Sequence, residues 1–424
     1  MCIRDSGSSR FHPSDRWGHF WSVGASWRIS EEQFMENTRQ WLDNLTLKVS
    51  YGVQGNDNLG TYYAWQGLYD YTWPNATDAG AFVDKLENRK VTWEKNGNLN
   101  AGIEATMFGG RLGVSVEYYN RKTRDMLLNS PLPISTGFTG FNDNVGSLRN
   151  QGLEVSLRGT ILDKRDFRWD ATLMGSFNRN KVLSLTGGQD VITSGIRVIE
   201  VGRPIYTFYL PKTAGVDPAT GKQLYYAYWT QTVNDEGTLV NTRCDEYITD
   251  NVAMATLSKY YHESREPKLF GSIGSTFTIL KNIDVSFLTT YSIGGWVYDG
   301  LYNGSMYVQY AGNNWHKNAK RRWQKPGDKT DVPMLEVGGS YATTSNSLID
   351  ASYFAIKNIT VGYTLPKRWL KKIDIESLRI YATLDNIAMF NHMDGMDPQY
   401  NFTGSVAYSY TPSRVIAFGI DLNF

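Results

Sequence analysis

Apolar and polar residues alternate repeatedly along this chain, most cleanly at its end. Ile416, Phe418, Ile420, Leu422 and Phe424 fall on one face, and Ala417, Gly419, Asp421 and Asn423 on the other. A period of two describes a strand with one face in an apolar medium, either in a sandwich or in a barrel wall in lipid. The same test predicts strands at 21–29, 45–54, 99–107, 112–118, 153–161, 167–177, 269–279, 283–293, 359–365 (extendable back to Tyr353) and 378–384. With the last strand that makes about eleven. Opposite the apolar residues lie Glu104, Glu117, Glu154, Arg158, Arg168, Asp170, Arg379 and Asp385. A wet lumen accommodates such charges, whereas a packed core does not.

The connections alternate in length. Residues 30–43, 109–110, 162–166, 281–282 and 366–376 form a short set, and those between them are several times longer. Short turns on one rim and long loops on the other are the pattern of outer-membrane barrels, with the turns periplasmic and the loops extracellular. Gly109-Gly110 and Lys281-Asn282 read as hairpin tips. Within 31–42, Phe34, Thr38, Trp41 and Leu42 share one side of a predicted amphipathic helix capped by Ser30, at the periplasmic rim, with an irregular turn as the alternative. An odd number of strands does not close a single-chain bacterial barrel, so the chain is expected to be part of a larger one. Met1 to Arg10 (MCIRDSGSSR) fits neither a strand nor a signal peptide. Residues 1–16 are therefore expected to be a non-native or disordered start, followed by one barrel region, 17–424, with no plug domain.

Composition narrows the function classes. Hydrophobic residues make up 41% with a mean hydropathy of −0.40, and no apolar run approaches the roughly 18 to 20 residues of a helical span. Aromatics at 14%, with 27 Tyr, 13 Trp and 40 Gly, suit interfacial girdles and many turns. A net charge of +1 gives no electrostatic case for nucleic acid. Cys2 and Cys244 support neither a disulfide framework nor a metal ribbon.

Several stretches carry a family resemblance. Leu47-Lys-Val-Ser-Tyr-Gly52 with Gln54-Gly-Asn56, Thr92-Trp-Glu-Lys95, Phe108-Gly-Gly-Arg-Leu112 with Tyr118-Tyr119 and Lys122-Thr123, and Asn144-Val-Gly-Ser147 with Arg149-Asn-Gln-Gly-Leu-Glu154 come first. Gly215-Val-Asp-Pro218, Gly362-Tyr-Thr-Leu-Pro366, Arg379-Ile-Tyr381 with Asp385-Asn386, and Gly395-Met-Asp-Pro398 follow in order. From about residue 17 to Phe424 the chain resembles the C-terminal half of SusC/RagA-like TonB-dependent outer-membrane transporters. The resemblance implies an all-β fold: a transmembrane antiparallel β-barrel of which this chain is about 11 C-terminal strands of an expected 22. It also implies uptake of oligosaccharide or oligopeptide beneath a SusD-like surface lipoprotein. The TonB complex would act through an N-terminal plug, and Phe424 would be the barrel-assembly signal.

For catalysis the chain offers no G-x-S-x-G, and His12, His19, His262, His316 and His392 have no ligand spacing, so neither an enzyme, a metal nor a cofactor is expected. Gly215 to Lys222 departs from phosphate-loop spacing and reads as a turn, and Asn234-Asp-Glu-Gly237 reads as a hairpin tip rather than a calcium loop. Loop aromatics are the site candidates: Tyr62, Tyr63, Trp65, Tyr69, Tyr71 and Trp73, then Tyr302, Tyr307, Tyr310, Trp315 and Trp323, then Tyr408 and Tyr410. Flat aromatic faces suit sugar rings and peptide side chains, and equally suit loop packing or contact with the lipoprotein. Trp17, Trp21, Trp27, Trp93, Trp169, Tyr353, Phe418 and Phe424 fit the membrane girdle. The competing functional class is a structural or adhesive barrel that binds external ligands through its long loops.

Overall fold

The computed structural model describes the whole chain except residues 75, 79, 186–189, 307–313, 337–340, 371–374, 394, 400–401 and 407–409. Its framework is a 12-stranded sheet whose neighbours in space follow one another along the chain. The wall strands are β1 (Cys2–Gly7), β2 (Trp17–Arg28), β3 (Leu42–Asn56), β4 (Glu94–Met107), β5 (Leu112–Arg124), β6 (Ser147–Lys164), β7 (Phe167–Ser184), β8 (Leu269–Ile279), β9 (Ile283–Ile293), β10 (Tyr353–Thr364), β11 (Ser377–Asn391) and β12 (Val415–Asn423). Every adjacent pair is antiparallel. All eleven expected strands are present, and β8 and β9 have the expected bounds.

Register turns local alternation into two continuous surfaces. One row runs Trp27, Leu47, Ile103, Val116, Val155, Gly175, Gly271, Tyr291, Phe354 and Phe390. The adjacent row, on the opposite face, runs Ser26, Lys48, Gly102, Glu117, Glu154, Ser176, Phe270, Ser292, Tyr353 and Asn391. The expected charged positions lie on this second face, where Lys48 pairs with Glu104 at 2.6 Å and Arg168 with Asp170 at 2.7 Å.

The short turns are built for tight reversal. Phe108, Gly109 and Gly110 all have positive φ (60°, 66° and 79°) between Met107 and Leu112, a conformation that glycine adopts without steric cost. Leu280 and Lys281 do the same between the paired Ile279 and Ile283. The long connections fold into small sheets and cores of their own. Val191–Ser194, Arg197–Glu200, Thr207–Pro211 and Lys259–Ser264 form one sheet, and Thr213–Val216, Gln223–Val233 and Leu239–Thr249 another. Asn234 to Gly237 forms the hairpin tip between the last two strands, with the Asn234 N–H donating to the Thr238 carbonyl at 2.9 Å. Trp296–Asp299 pairs with Leu348–Asp350 and, in parallel, with Ser405–Val406. Buried clusters sit in this loop layer: Phe208, Leu210, Tyr298 and Leu348 in one, Val297, Ala351, Met393, Met396 and Val406 in another.

Four expectations are corrected. The start of the chain is not without structure: Cys2–Gly7 is a strand, paired from Cys2↔Ser22 to Gly7↔Trp17. Its signal was weak because only Ile3 meets the apolar face, and backbone pairing with the edge of β2 stabilises it. The sheet consequently has twelve strands rather than eleven, and the inference from an odd count lapses. Residues 31–42 form 3₁₀ turns (Ile29–Glu31, Gln33–Thr38), not an amphipathic α-helix, and buried Ser30 caps nothing with its side chain. Phe34 and Glu32 are drawn to Trp27, by an edge-on ring contact at 6.5 Å and an indole hydrogen bond at 2.8 Å. That tightens a segment too short to propagate an α-helix. Finally, Trp93 is buried against Phe11 and Phe20 rather than in a girdle, and Tyr353 faces the polar side.

Candidate functional site

The apolar face has no protein cover. Trp21, Val23, Trp27, Val49, Tyr51, Ile103, Leu153, Leu157, Leu173, Phe177, Ile380 and Phe418 are all exposed on it. A patch of this extent far exceeds what a water-soluble surface presents and matches the lipid-facing band of a barrel. Among the described residues no helix is long and apolar enough to cross a membrane. The opposite, polar face is the lumenal one.

At the long-loop end of that lumenal face lies a cavity of about 410 Å³. The wall supplies Tyr119 from β5, Asn150 from β6, Asn178 and Asn180 from β7, Phe270 from β8, Ser292 from β9 and Tyr353 from β10. The loops supply Pro204, Tyr206, Arg265, Glu266, Pro267, Gln399 and Phe402. Period two explains the wall set: each residue continues the polar face outward, beyond the apolar band, so its side chain meets the loops instead of lipid.

The cavity's polar groups form a connected network. The Glu266 carboxylate accepts from the Asn178 amide and, at 3.0 Å, from the Asn180 backbone N–H. The Tyr119 hydroxyl donates to Asn178 Oδ1 at 2.7 Å, the Asn180 amide donates to Asn150 Oδ1 at 2.7 Å, and Asn180 Oδ1 accepts from the Ile205 N–H at 2.8 Å. Arg265 donates through Nη2 to the Pro398 carbonyl at 2.7 Å. Tyr206 meets Phe402 edge-on at 5.5 Å. Burial raises the Glu266 pKa above the usual carboxylate value, the hydrogen bonds from Asn180 and Asn178 offsetting it only in part, and burial lowers the Arg265 guanidinium. The arrangement presents fixed donors and acceptors beside aromatic rings, and among the described residues no group of His, Cys, Asp and Glu is placed to hold a metal ion.

The sign for Glu266 can be measured. Its folded pKa lies above the unfolded one, so the folded state holds the proton more tightly. Its ionised form therefore costs stability above the folded pKa; that cost disappears as pH falls through this value and is gone below the ordinary carboxylate range. Relative to Glu266→Gln, the wild-type protein is expected to gain thermal stability as pH falls from 7 to the ordinary glutamate value of 4.5. Parallel melting temperatures across that range would refute the assignment.

Comparison with known proteins fits this geometry. The family model described as TonB dependent receptor-like, beta-barrel, matches residues 4–387. The chain belongs to that family. It is 28% identical over 454 residues to TonB-dependent receptor P26 of Formosa agariphila, covering 99% of this chain and 44% of the relative. With TonB-dependent receptor SusC of Bacteroides thetaiotaomicron it shares 28% over 438 residues, covering 100% and 42%. It superposes on the structure of the RagAB peptide transporter with a TM-score of 0.84 at 28% identity, covering 100% of this chain and 45% of that one. The chain spans less than half the length of these relatives and corresponds to their C-terminal half. This TonB-dependent receptor barrel is an outer-membrane structure.

None of the described loop aromatics singled out from the sequence lines the cavity. Tyr62, Tyr63, Tyr69, Tyr71, Trp73 and Tyr410 are exposed, Tyr62 beneath Arg10 and Trp73 edge-on to Phe82. Trp65 packs on the cluster of Phe11, Phe20, Val91 and Trp93, and Tyr302 and Trp315 pack on that of Met306, Ala319 and Val332. Trp323 lies over Gly221 and donates to the Pro218 carbonyl at 2.9 Å. Tyr307, Tyr310 and Tyr408 lie outside the described residues. The stretch from Gly215 to Lys222 is the expected turn: Asp217 accepts from the Thr220 hydroxyl at 2.6 Å and the Ala219 N–H at 2.9 Å. Sequence reasoning missed Arg265, Glu266, Asn178, Asn180 and Tyr206. The available signals were Asn178 and Asn180 continuing the polar period beyond Phe177, and an adjacent Arg-Glu-Pro just before β8.

Proposed function

We propose that this chain is the barrel part of an active outer-membrane importer for oligosaccharide or oligopeptide, working with a SusD-like surface lipoprotein and driven through TonB. The cavity at the outer end of the lumen carries the reading. It lies where cargo arrives from outside, it is aromatic-walled with a few fixed polar groups, and its volume falls within the range of small-ligand sites. Support comes from SusC and from the RagAB peptide transporter, to which the chain is similar along its full length. The exposed aromatics Tyr62, Tyr63, Tyr69, Trp73 and Tyr410 are proposed to contact the lipoprotein or the arriving ligand rather than to form the inner site. Phe424 is proposed as the assembly signal.

The test is growth and labelled uptake by a deletion strain offered a panel of oligosaccharides and peptides. Loss on one class, restored by the intact gene, is expected. Unimpaired growth and uptake on every member would sink the proposal in favour of an adhesive or structural barrel.

A further inference from the structure

Among the described residues, two guanidinium groups at this rim have no acidic partner within ion-pair distance. Among the described residues Arg265 forms no ion pair: one donor reaches the Pro398 carbonyl, and its buried Nε has no acceptor. Arg197, stacked 5.9 Å from the Tyr206 ring, donates to the Thr403 hydroxyl at 3.1 Å, and its buried Nε is likewise without an acceptor. Glu266, the acid of the cavity, is turned to Asn178 and Asn180 instead. Both residues are part-buried, and a guanidinium carries five donors and, where partly desolvated, a cost that an anion relieves best.

The Arg265 side chain is also held in place. It lies across Gly404, where a Cβ would come within 2.8 Å of its Cδ, while its carbonyl packs at Gly295, where a Cβ would sit 2.5 Å away. Three long connections therefore meet on one arginine and fix its head at the cavity. With Nε enclosed, the edge left to a ligand is that of the two Nη groups, and a fixed pair of N–H donors favours carboxylate, which it can grip in a bidentate manner, over neutral hydroxyls.

We propose that the cavity recognises a carboxylate of the ligand through Arg265, with Arg197 adding positive potential at the rim. The inference rests on the importer reading above, and it narrows the cargo to carboxylate-bearing molecules. The same chemistry comes from a uronate sugar or from the C-terminus of a peptide, and Tyr206 and Phe402 offer apolar walls to either.

Calorimetry on the complete, detergent-purified outer-membrane protein separates the possibilities. The probes are a glucuronate-terminated disaccharide against its glucose-terminated counterpart, and an N-acetylated tripeptide with a free against an amidated C-terminus. In one pair the carboxylate member is expected to bind about ten-fold more tightly, and which pair does so identifies the source. Arg265→Gln is expected to bring that ratio to about one. If that variant does not fold, Arg265→Lys, which keeps the charge but not the fork, is expected to lower the ratio to about three-fold. A wild-type ratio near one in both pairs, no binding of either carboxylate probe, or a ratio unchanged in the variant overturns the proposal. Selective binding without any uptake defect would overturn the importer reading and leave this one standing.

Discussion

Ile103→Arg is expected to destabilise the folded outer-membrane protein by about 2–4 kcal/mol in a bilayer, whereas Glu104→Gln, one residue along, is expected to cost about 1 kcal/mol or less. Ile103 lies on the lipid face between Leu47 and Val116 and is half exposed. It stands five residues from the turn at Phe108, which along a tilted strand is on the order of 12 Å into the membrane. An arginine there must carry its charge into hydrocarbon or drag water inward. Glu104 faces the lumen, pairing with Lys48 at 2.6 Å with both side chains about half exposed (49% and 51%). Urea titration of the two variants in liposomes gives the comparison, and similar losses would mean that the faces have been assigned the wrong way round.

The second large effect is expected where one arginine ties four strands together. Arg379 on β11 reaches across β10 to Asp284 on β9, at 2.6 Å and 3.0 Å, and also contacts Asp421 on β12 at 3.3 Å. The path is open because position 362 is glycine. A Cβ there would lie 2.5 Å from both Arg379 Nη2 and Asp284 Oδ1, and these atoms are free to retreat only by breaking the bridge. Gly362→Ala and Arg379→Gln are each expected to cost about 1.5–3 kcal/mol. The double variant is expected to be little worse than either alone, because both remove the same interaction. Additive losses in that cycle would show that Gly362 serves some purpose other than giving Arg379 passage.

The difference between what was legible and what was not follows the range of the interactions. Strand β8, Leu269–Ile279, illustrates the legible part: apolar residues alternate, a turn at Leu280-Lys281 reverses the chain, and β9 repeats the pattern, all within a few residues of sequence. Segment 31–42 shows the opposite. Its apolar spacing permits a helix, but Trp27 on the preceding strand and the Phe108 N–H, which donates to the Trp41 carbonyl at 2.8 Å, hold it in tighter turns. Neither partner is visible to a periodicity. That the described loop aromatics do not line the cavity has a related reason: an aromatic side chain buries well against any apolar neighbour, so residue type alone does not distinguish Trp315 in a loop core from Tyr206 on a cavity wall.

By itself the sequence determined the all-β class, the positions of eleven wall strands, which face of each meets lipid and which rim carries the long loops. Strand alternation and turn chemistry are local, and a one-residue slip would put every side chain on the wrong face. Only the tertiary structure decided that Cys2–Gly7 joins the wall, because that strand is held by backbone pairing that leaves little trace in side-chain pattern. It alone also brings the cavity together. Tyr119, Asn178, Arg265, Tyr353 and Phe402 are scattered along the chain, and no local spacing links them. They meet because sequential antiparallel pairing stacks β5 to β10 side by side while three folded loops close over their outer ends.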